Sequence, residues 1–458
     1  MLAPYERQSL LAHAALGFGL LLAAVGASAQ LAGEVEFSRG VGFAQTPGQT
    51  PRTLGKGLAL REGDRLTTAE GASAIIKLED GTRMTVRPNS ELILQHYRFK
   101  ENAPDNSMLM QLVRGGFRAV TGLISKNAPN AARIQTNTAT IGIRGTDFDA
   151  RLCTTECGTE SSRVAANARP NAVLASAKVV SARGEVNAVD ASGQRRRLVD
   201  GGSIYPGDMV ETAPATQAVL AFRDDTRITL GSATRFRVDN FIYDDRNATE
   251  GRFLVSLLKG SVRALTGLIA KANNRNVGFS TATATIGVRG TGLDLNCTGA
   301  CAGEPGDSGA GLTLFTWLGS IVVTPTGGTA LEALQAGQGL FISPSGIQAI
   351  ASQPPIDTPR PDTVPVPPKL FSNDAVADTD QGLFVFVRDG HIEIATAGEV
   401  LQLGRGEAGF AGQTGETKRP ITIPKFIDFD RLPLPTAKNP LLVSVLAETG
   451  MAPNNQCK

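Results

Sequence analysis

The sequence contains few of the residues on which enzymes and nucleic-acid-binding proteins depend. Its 458 residues include three histidines, one tryptophan and four tyrosines, and aromatic residues make up only 5% of the total. The 45 basic residues nearly balance the 43 acidic ones, and the one basic run is Arg195–Arg197. Because a protein that binds nucleic acid needs a basic surface to displace counterions, the charge pattern argues against that class.

Motifs typical of enzymes and of calcium sites are missing as well. Only His96 and His391 lie beyond the N-terminal region, and no Gly-x-Ser-x-Gly or His-Glu-x-x-His pattern occurs. Acidic residues are not grouped within one loop, as the six to eight oxygen ligands of calcium require. We therefore expect no catalytic residue, no cofactor and no metal site, and we interpret the chain as non-enzymatic.

The N-terminal region has the form of a secretory signal. Residues 14–25 are apolar and the small residues of 26–29 follow them, which predicts a signal peptide over 1–29 with cleavage before Gln30. A retained membrane anchor is the alternative, although the apolar stretch is short for a bilayer. No later segment of the sequence is long and apolar enough to span a membrane. We expect an exported, periplasmic protein.

The rest of the chain repeats itself at a distance of about 145 residues. The run TATIGIRGT at 138–146 returns as TATIGVRGT at 283–291, and RAVTGLI at 118–124 returns as RALTGLI at 263–269. Solenoid repeats have periods of about 20–50 residues. The much longer period here predicts two tandem domains of related fold.

Each copy of the repeated run carries one arginine between two glycines. The signature residues are Arg144, Gly145, Thr146, Arg289, Gly290 and Thr291. The glycines predict a bulge or a turn of positive φ that re-aims the arginine. We expect the arginines to pair with nearby acids such as Asp147, Asp149 or Asp294. The alternative is that they face a partner or an anionic ligand.

Four of the five cysteines form two Cys-x-x-x-Cys pairs at matching positions of the repeats. They are Cys153, Cys157, Cys297 and Cys301. In an oxidising compartment each pair most simply closes a local disulfide. The alternative is that all four thiolates bind one zinc ion. Cys457 is left over, and its redox state stays open.

Alternating apolar residues predict antiparallel strands throughout, with little helix. Residues 74–78 alternate before a turn at 80–81, which predicts a hairpin. Strands are also expected at 312–317 and at 321–324, separated by a turn. A further hairpin is expected around the Asp-Gly pair at 389–390. The fold class that follows is all-β, with two tandem domains and a partial C-terminal β-unit.

Composition divides the chain into seven segments. Polar and Ala-rich or Pro-rich stretches separate the strand-rich regions. The predicted segments are a signal peptide at 1–29, a first domain at 31–153, a linker at 154–177, a second domain at 178–345, a Pro-rich linker at 346–379, the partial β-unit at 380–412 and a polar tail at 413–458.

Both repeats resemble the FecR family of periplasmic β-domains, over about 31–153 and 178–345 and more weakly over 380–412, in four elements that the first copy shows. They are GDRLTT at 63–68, the DGT turn at 80–82, PNS at 88–90 and TATIGIRGT at 138–146. The resemblance implies an elongated, solenoid-like or sandwich-like β-domain that acts in binding or signalling outside the cytoplasm. Transmembrane members relay the state of an iron-siderophore receptor to a sigma factor. This chain departs from them, since no cytoplasmic helical segment precedes its apolar stretch and it has two domains, so anti-sigma activity is not carried over.

The function expected from these features is binding of a protein partner in the bacterial cell envelope, in sensing, signalling or envelope assembly. The identity of that partner and the oligomeric state stay open. One alternative is a glycan or cell-wall binding module that exposes the aromatic residues Tyr97, Phe99, Phe241, Tyr243 and Trp317. Others are a structural component of an envelope transport or secretion system, and an anchored regulator if the leader is retained.

Overall fold

The computed structural model describes residues 30–128, 131–304, 310–331, 333–430 and 435. The expected signal peptide and Cys457 lie outside the described residues. The described part is built from strands, which form two sheets of fifteen strands each. The all-β fold with two related domains is confirmed.

The first repeat contributes eleven strands to the first sheet. They are β1 (Leu31–Arg39), β2 (Gly42–Gln45), β3 (Arg52–Thr53), β4 (Ala59–Arg61), β5 (Arg65–Thr68), β6 (Ser73–Leu78), β7 (Arg83–Val86), β8 (Glu91–Arg98), β9 (Ser107–Val120), β10 (Ala132–Gln135) and β11 (Thr140–Cys153). The predicted hairpin at 80–81 is confirmed, because β6 pairs with β7 across it.

The second repeat and the residues after it form the whole second sheet. Its strands are β12 (Ala177–Arg183), β13 (Val186–Val189), β14 (Arg195–Leu198), β15 (Ser203–Ile204), β16 (Met209–Thr212), β17 (Gln217–Phe222), β18 (Arg227–Leu230), β19 (Arg235–Ile242), β20 (Arg252–Leu265), β21 (Val277–Ser280), β22 (Ala284–Cys297), β23 (Leu312–Pro325), β24 (Leu334–Gln335), β25 (Gly339–Ser343) and β26 (Gly346–Ile350).

The last strands of the chain return to the first sheet. They are β27 (Gly382–Ala395), β28 (Val400–Leu403), β29 (Ala408–Gly412) and β30 (Thr417–Lys418). The short α-helices of the described residues are α1 (Leu123–Asn127), α2 (Glu156–Ser162), α3 (Leu268–Ala272) and α4 (Lys425–Asp428). None of them has the length and apolar character needed to cross a membrane.

The two sheets have the same topology. One runs β3-β2-β5-β8-β9-β10-β11-β27-β29-β30 and the other β14-β13-β16-β19-β20-β21-β22-β23-β25-β26. Strand β9 pairs with β8 and β10 along its first half and with β7 and β11 along its second. It bends at Gly115, where φ is +71° and an added Cβ would collide with Ser90. Each sheet therefore folds over one core of its own.

The first domain is completed by residues that follow the second domain in sequence. Strand β27 pairs antiparallel with β11 along its whole length, from Gly382 opposite Cys153 to Ala395 opposite Thr140. Strand β23 pairs with β22 in the same way. The segment predicted as a partial β-unit is thus the counterpart of β23 to β25, and the second domain is inserted between the two parts of the first.

Neither expected turn within these long strands interrupts them. Strand β27 runs through Asp389 and Gly390, so the predicted hairpin there is wrong, and β23 likewise continues through Gly319. Gly390 has a φ of +91°, and an added Cβ would collide with the carbonyl oxygen of Gly145 on β11. Two glycines opposite each other let both strands bulge at one level, so the pairing resumes beyond them.

The segments assigned to linkers and tail contain packed residues. In the expected tail, β30 joins the first sheet, and Phe426 and Ile427 of α4 are buried. In the Pro-rich stretch, the Gln353 side chain donates to Asp294 over 2.6 Å. Strand β26 also falls within the expected Pro-rich linker and pairs with β25, so parts of these segments belong to the folded domains.

Candidate functional site

The signature motif forms a bulge that threonine hydrogen bonds hold in place. In β11, Gly145 has a φ of +62°, and the pairing with β27 shifts between Arg144 and Asp147. The Thr146 N–H donates to Thr121 Oγ1 at 2.7 Å, and the Thr146 hydroxyl donates to the His391 carbonyl at 3.0 Å. The predicted bulge is therefore present, and the threonine fixes it to both neighbouring strands.

The second copy repeats this geometry. Gly290 has a φ of +61°, the Thr291 N–H donates to Thr266 Oγ1 at 2.8 Å, and the Thr291 hydroxyl donates to the Ser320 carbonyl at 2.8 Å. We call the outward side of the bulged strand pair the bulge face, formed by β11–β27 in the first domain and by β22–β23 in the second.

The two signature arginines occupy different surroundings. Arg144 is largely buried and lies 3.6 Å from Glu393, whereas Arg289 is exposed. Burial lowers the pKa of Arg144 from its ordinary value, and the charge of Glu393 opposes that shift. The expected pairing with an acid is found for Arg144, but its partner is Glu393 and not one of the acids at 147, 149 and 294. Those acids instead pair with other arginines, at 118, 388 and 263.

A buried ionic cluster joins the first domain to the second. Glu407 follows β28, Arg419 follows β30, and Lys178 lies in β12 of the second domain. Glu407 Oε2 accepts from Lys178 Nζ and from Arg419 Nε, both at 2.9 Å, and all three side chains are at most 1% exposed. Lys178 Nζ also donates to the Gln402 carbonyl at 3.1 Å. These contacts hold β12 against the C-terminal part of the first domain.

Burial and mutual charge set the protonation of this cluster. Burial alone would raise the pKa of Glu407, but the charges of Lys178 and Arg419 outweigh it and hold that pKa below its ordinary value. Burial lowers the pKa of Lys178 to about 8, in spite of Glu407. Burial, together with Arg144 and Lys178, lowers the pKa of His391 to about 3. His391 is therefore neutral at pH 7, and Glu407 is charged.

Sequence reasoning missed these three residues, although a signal was present. The register of the two sheets places Lys178 where the first domain has Glu34 and Glu407 where the second has Gln338. At both positions the two repeats carry different residues, and Lys178 and Glu407 make a contact that only one copy has. Here that contact is the junction between the domains.

The bulge face is covered in the first domain and uncovered in the second. Around His391 and Glu393 it meets Gln402 and the start of the second domain. The equivalent positions in β23 are Ser320 and Val322, and Val322 is 41% exposed. Leu318 of the same strand and Leu268 of α3 are also exposed, by 48% and 37%. The second domain therefore presents an apolar face at a place where the first domain binds another domain.

The aromatic residues proposed for glycan binding do not form an exposed platform. Tyr97 and Phe241 are buried, and the Tyr97 hydroxyl accepts the Asp80 N–H at 2.8 Å. Trp317 donates to Asp294 at 3.0 Å, and the guanidinium of Arg360 covers its ring at 3.9 Å. Since stacking on a sugar needs a free ring face, this placement argues against the glycan alternative.

Each cysteine pair closes a disulfide, with sulfur–sulfur distances of 2.04 and 2.06 Å, which leaves none of the four thiolates to zinc. The two disulfides do not occupy matching positions, however. In the second sheet Cys297 lies opposite Gly260. The equivalent glycine of the first sheet is Gly115, and the residue opposite it is Leu152, one position before Cys153. Adjacent strand residues point to opposite faces. The first disulfide accordingly packs in a separate cluster with α4, and the second in the core of its domain.

The comparison with known families agrees with this duplicated geometry. A family model described as FecR protein matches residues 64–167 and 208–302. The chain contains two FecR domains. Each match includes the bulged strand, β11 or β22, and so covers the signature motif of its repeat.

Other comparisons add little to the FecR assignment. No curated protein matches the chain significantly. Two crystal structures, at 1.65 and 2.50 Å resolution, of a provisionally assigned anti-sigma factor from Parabacteroides distasonis are 14% identical to it, with a TM-score of 0.24. The match covers 31% of this chain and 59% of that one, so this chain spans less than two thirds of the matched protein. At this TM-score the likeness supports no statement about function.

Proposed function

We propose that this chain is an exported, non-enzymatic FecR-domain protein that binds a protein partner in the cell envelope, in sensing, signalling or envelope assembly. The observation that carries the proposal is the uncovered bulge face of the second FecR domain. In the first domain the same face is a domain–domain contact. We infer that in the second domain it receives the partner.

The composition of the uncovered face supports a protein ligand. By register, Val322 and Arg289 lie on the same face of the β22–β23 pair, and Leu318 of β23 is also exposed, which gives an apolar surface with a cationic neighbour. Protein interfaces are enriched in apolar residues and arginine at their centres. The equivalents of Leu318 and Val322 in the first domain are the acids Asp389 and Glu393, so these two positions are apolar only in the second domain. The equivalent of Leu268 is Leu123, which is 44% exposed.

Two further features support an envelope location. The disulfides fit an oxidising compartment, and the N-terminal sequence has the form of a secretory signal. Intact-mass measurement of protein purified from a bacterial periplasm tests both. We expect a mass that begins at Gln30, with four cysteines oxidised. An uncleaved N-terminus would instead favour a membrane-anchored protein.

Site-specific photo-crosslinking in the periplasm tests the partner face. A photoreactive residue at Leu318 or Val322 of the full chain is expected to give a discrete protein adduct, while one at the still more exposed Val41 is not. Adding Arg289→Glu is expected to remove the adduct. Equal crosslinking at all three positions, or none at any, would contradict the proposal.

A further inference from the structure

A cleft of about 500 Å³ lies between the two FecR domains. One wall is the bulge of the first domain, with Arg144 and His391, and Arg405 extends it. The other wall is formed by β14 and the turn before it, with Arg197 and Asp190. A volume of this size suits a small molecule.

The side chains that line the cleft carry an excess of positive charge. The acids are Asp190, Asp208 and Asp389, and the basic residues are Lys126, Arg144, Arg195, Arg196, Arg197 and Arg405. Arg196 pairs with Asp208 and Arg195 pairs with Glu211 outside the cleft. Among the described residues no carboxylate lies within ion-pair distance of Lys126, Arg197 or Arg405.

A buried polar group that lines the cleft also lacks a partner. His391 is 9% exposed, and its Nε2 lies 2.8 Å from Gln402 Oε1. The Gln402 amide nitrogen donates to Glu393 at 2.8 Å, which assigns Gln402 Oε1 as the acceptor and His391 Nε2 as the donor. His391 Nδ1 is then an acceptor, and it has no hydrogen-bond partner among the described residues. Buried polar atoms without partners are uncommon in folded proteins.

We propose that this cleft binds a small polyanion that carries at least two phosphate or carboxylate groups. Guanidinium groups bind both kinds of anion through paired N–H donors, and Arg197 and Arg405 approach the cleft from different domains. Because His391 Nδ1 is buried, the guanidinium groups and not His391 contact the anion. Because both domains contribute cations, the bound anion would stabilise the junction between them. The proposal does not depend on the identity of the protein partner.

Titration calorimetry and thermal shift of the mature full chain test this, with pyrophosphate and propane-1,2,3-tricarboxylate as probes and acetate as a monoanionic control. We expect one equivalent of at least one polyanion to bind and to raise the Tm, while acetate has no effect. The double variant R197Q/R405Q, which changes exposed side chains, is expected to weaken binding at least tenfold. The double variant R39Q/R252Q, which removes one exposed arginine from each domain outside the cleft, is expected to leave binding unchanged.

Each outcome of this experiment decides the proposal. Loss of binding in R197Q/R405Q with retention in R39Q/R252Q supports it, and the stronger of the two probes identifies phosphate or carboxylate chemistry. Absence of binding by both polyanions overturns it. Binding that the two variants weaken equally would also overturn it, because the anion would then recognise only the general surface charge.

Discussion

Replacement of Glu407 by glutamine should destabilise the junction between the FecR domains strongly. The glutamine keeps the shape of the side chain but removes its charge, so Lys178 and Arg419 remain as buried cations without a counter-ion. Both now lie 2.9 Å from one carboxylate oxygen, with at most 1% of each side chain exposed. Removal of one partner from a buried ion pair costs about 3–5 kcal/mol.

The effect is large enough to measure by calorimetry. For a domain of this size the loss corresponds to a fall in Tm of about 6–20 °C. The matched control is Gln338→Glu, which makes the reverse change at the equivalent, exposed position of the second domain. That control should change stability by less than about 0.5 kcal/mol.

A double-mutant cycle separates the ion pair from simple packing. Lys178→Met removes one cation, so the cost of Glu407→Gln should be smaller in that background, with a coupling of about 0.5–3 kcal/mol. Urea unfolding of the four proteins supplies the free energies. A cost below about 1 kcal/mol for Glu407→Gln, or additive effects in the cycle, would refute the view that the cluster holds the junction.

Three other predictions concern pH, backbone conformation and the first disulfide. The pKa of His391 is about 3 in the folded protein and about 6.5 in the unfolded chain. Because the unfolded state therefore binds the proton more readily, the free energy of unfolding should fall as the pH drops from about 6.5 to about 3. His391→Asn should flatten that part of the stability–pH curve, and an unchanged curve would contradict the shift. Gly390→Ala should lower the free energy of unfolding more than Gly193→Ala. Both glycines have positive φ, but only at Gly390 would the added Cβ meet neighbouring backbone. Equal losses would argue against the paired bulge. Replacement of Cys153 and Cys157 by alanine should lower stability by roughly 2 kcal/mol, as expected for a short loop, and a variant as stable as the parent would show that the bridge contributes nothing.

Much of the fold follows from patterns that repeat within the sequence. The two FecR domains, their strands and the bulged signature were predictable because alternation and turn glycines act locally. The same local logic failed at Asp389 and Gly390. An Asp-Gly pair between apolar runs is a hairpin signal, and only pairing with the bulge at Gly145 makes it a bulge within one long strand.

Other features depended on contacts between residues far apart in the chain. The sequence alone determined that two related, disulfide-bearing β-domains occur. It did not determine that β27 completes the first domain across the inserted second one, since strand pairing at that separation depends on the whole sheet. The partners of Arg144, the buried cluster of Lys178, Glu407 and Arg419, and the cleft between the domains were likewise decided by tertiary structure. Each brings together residues more than 200 positions apart in the sequence. Burial and charge interactions depend on the distance between residues in space and not on their separation along the chain.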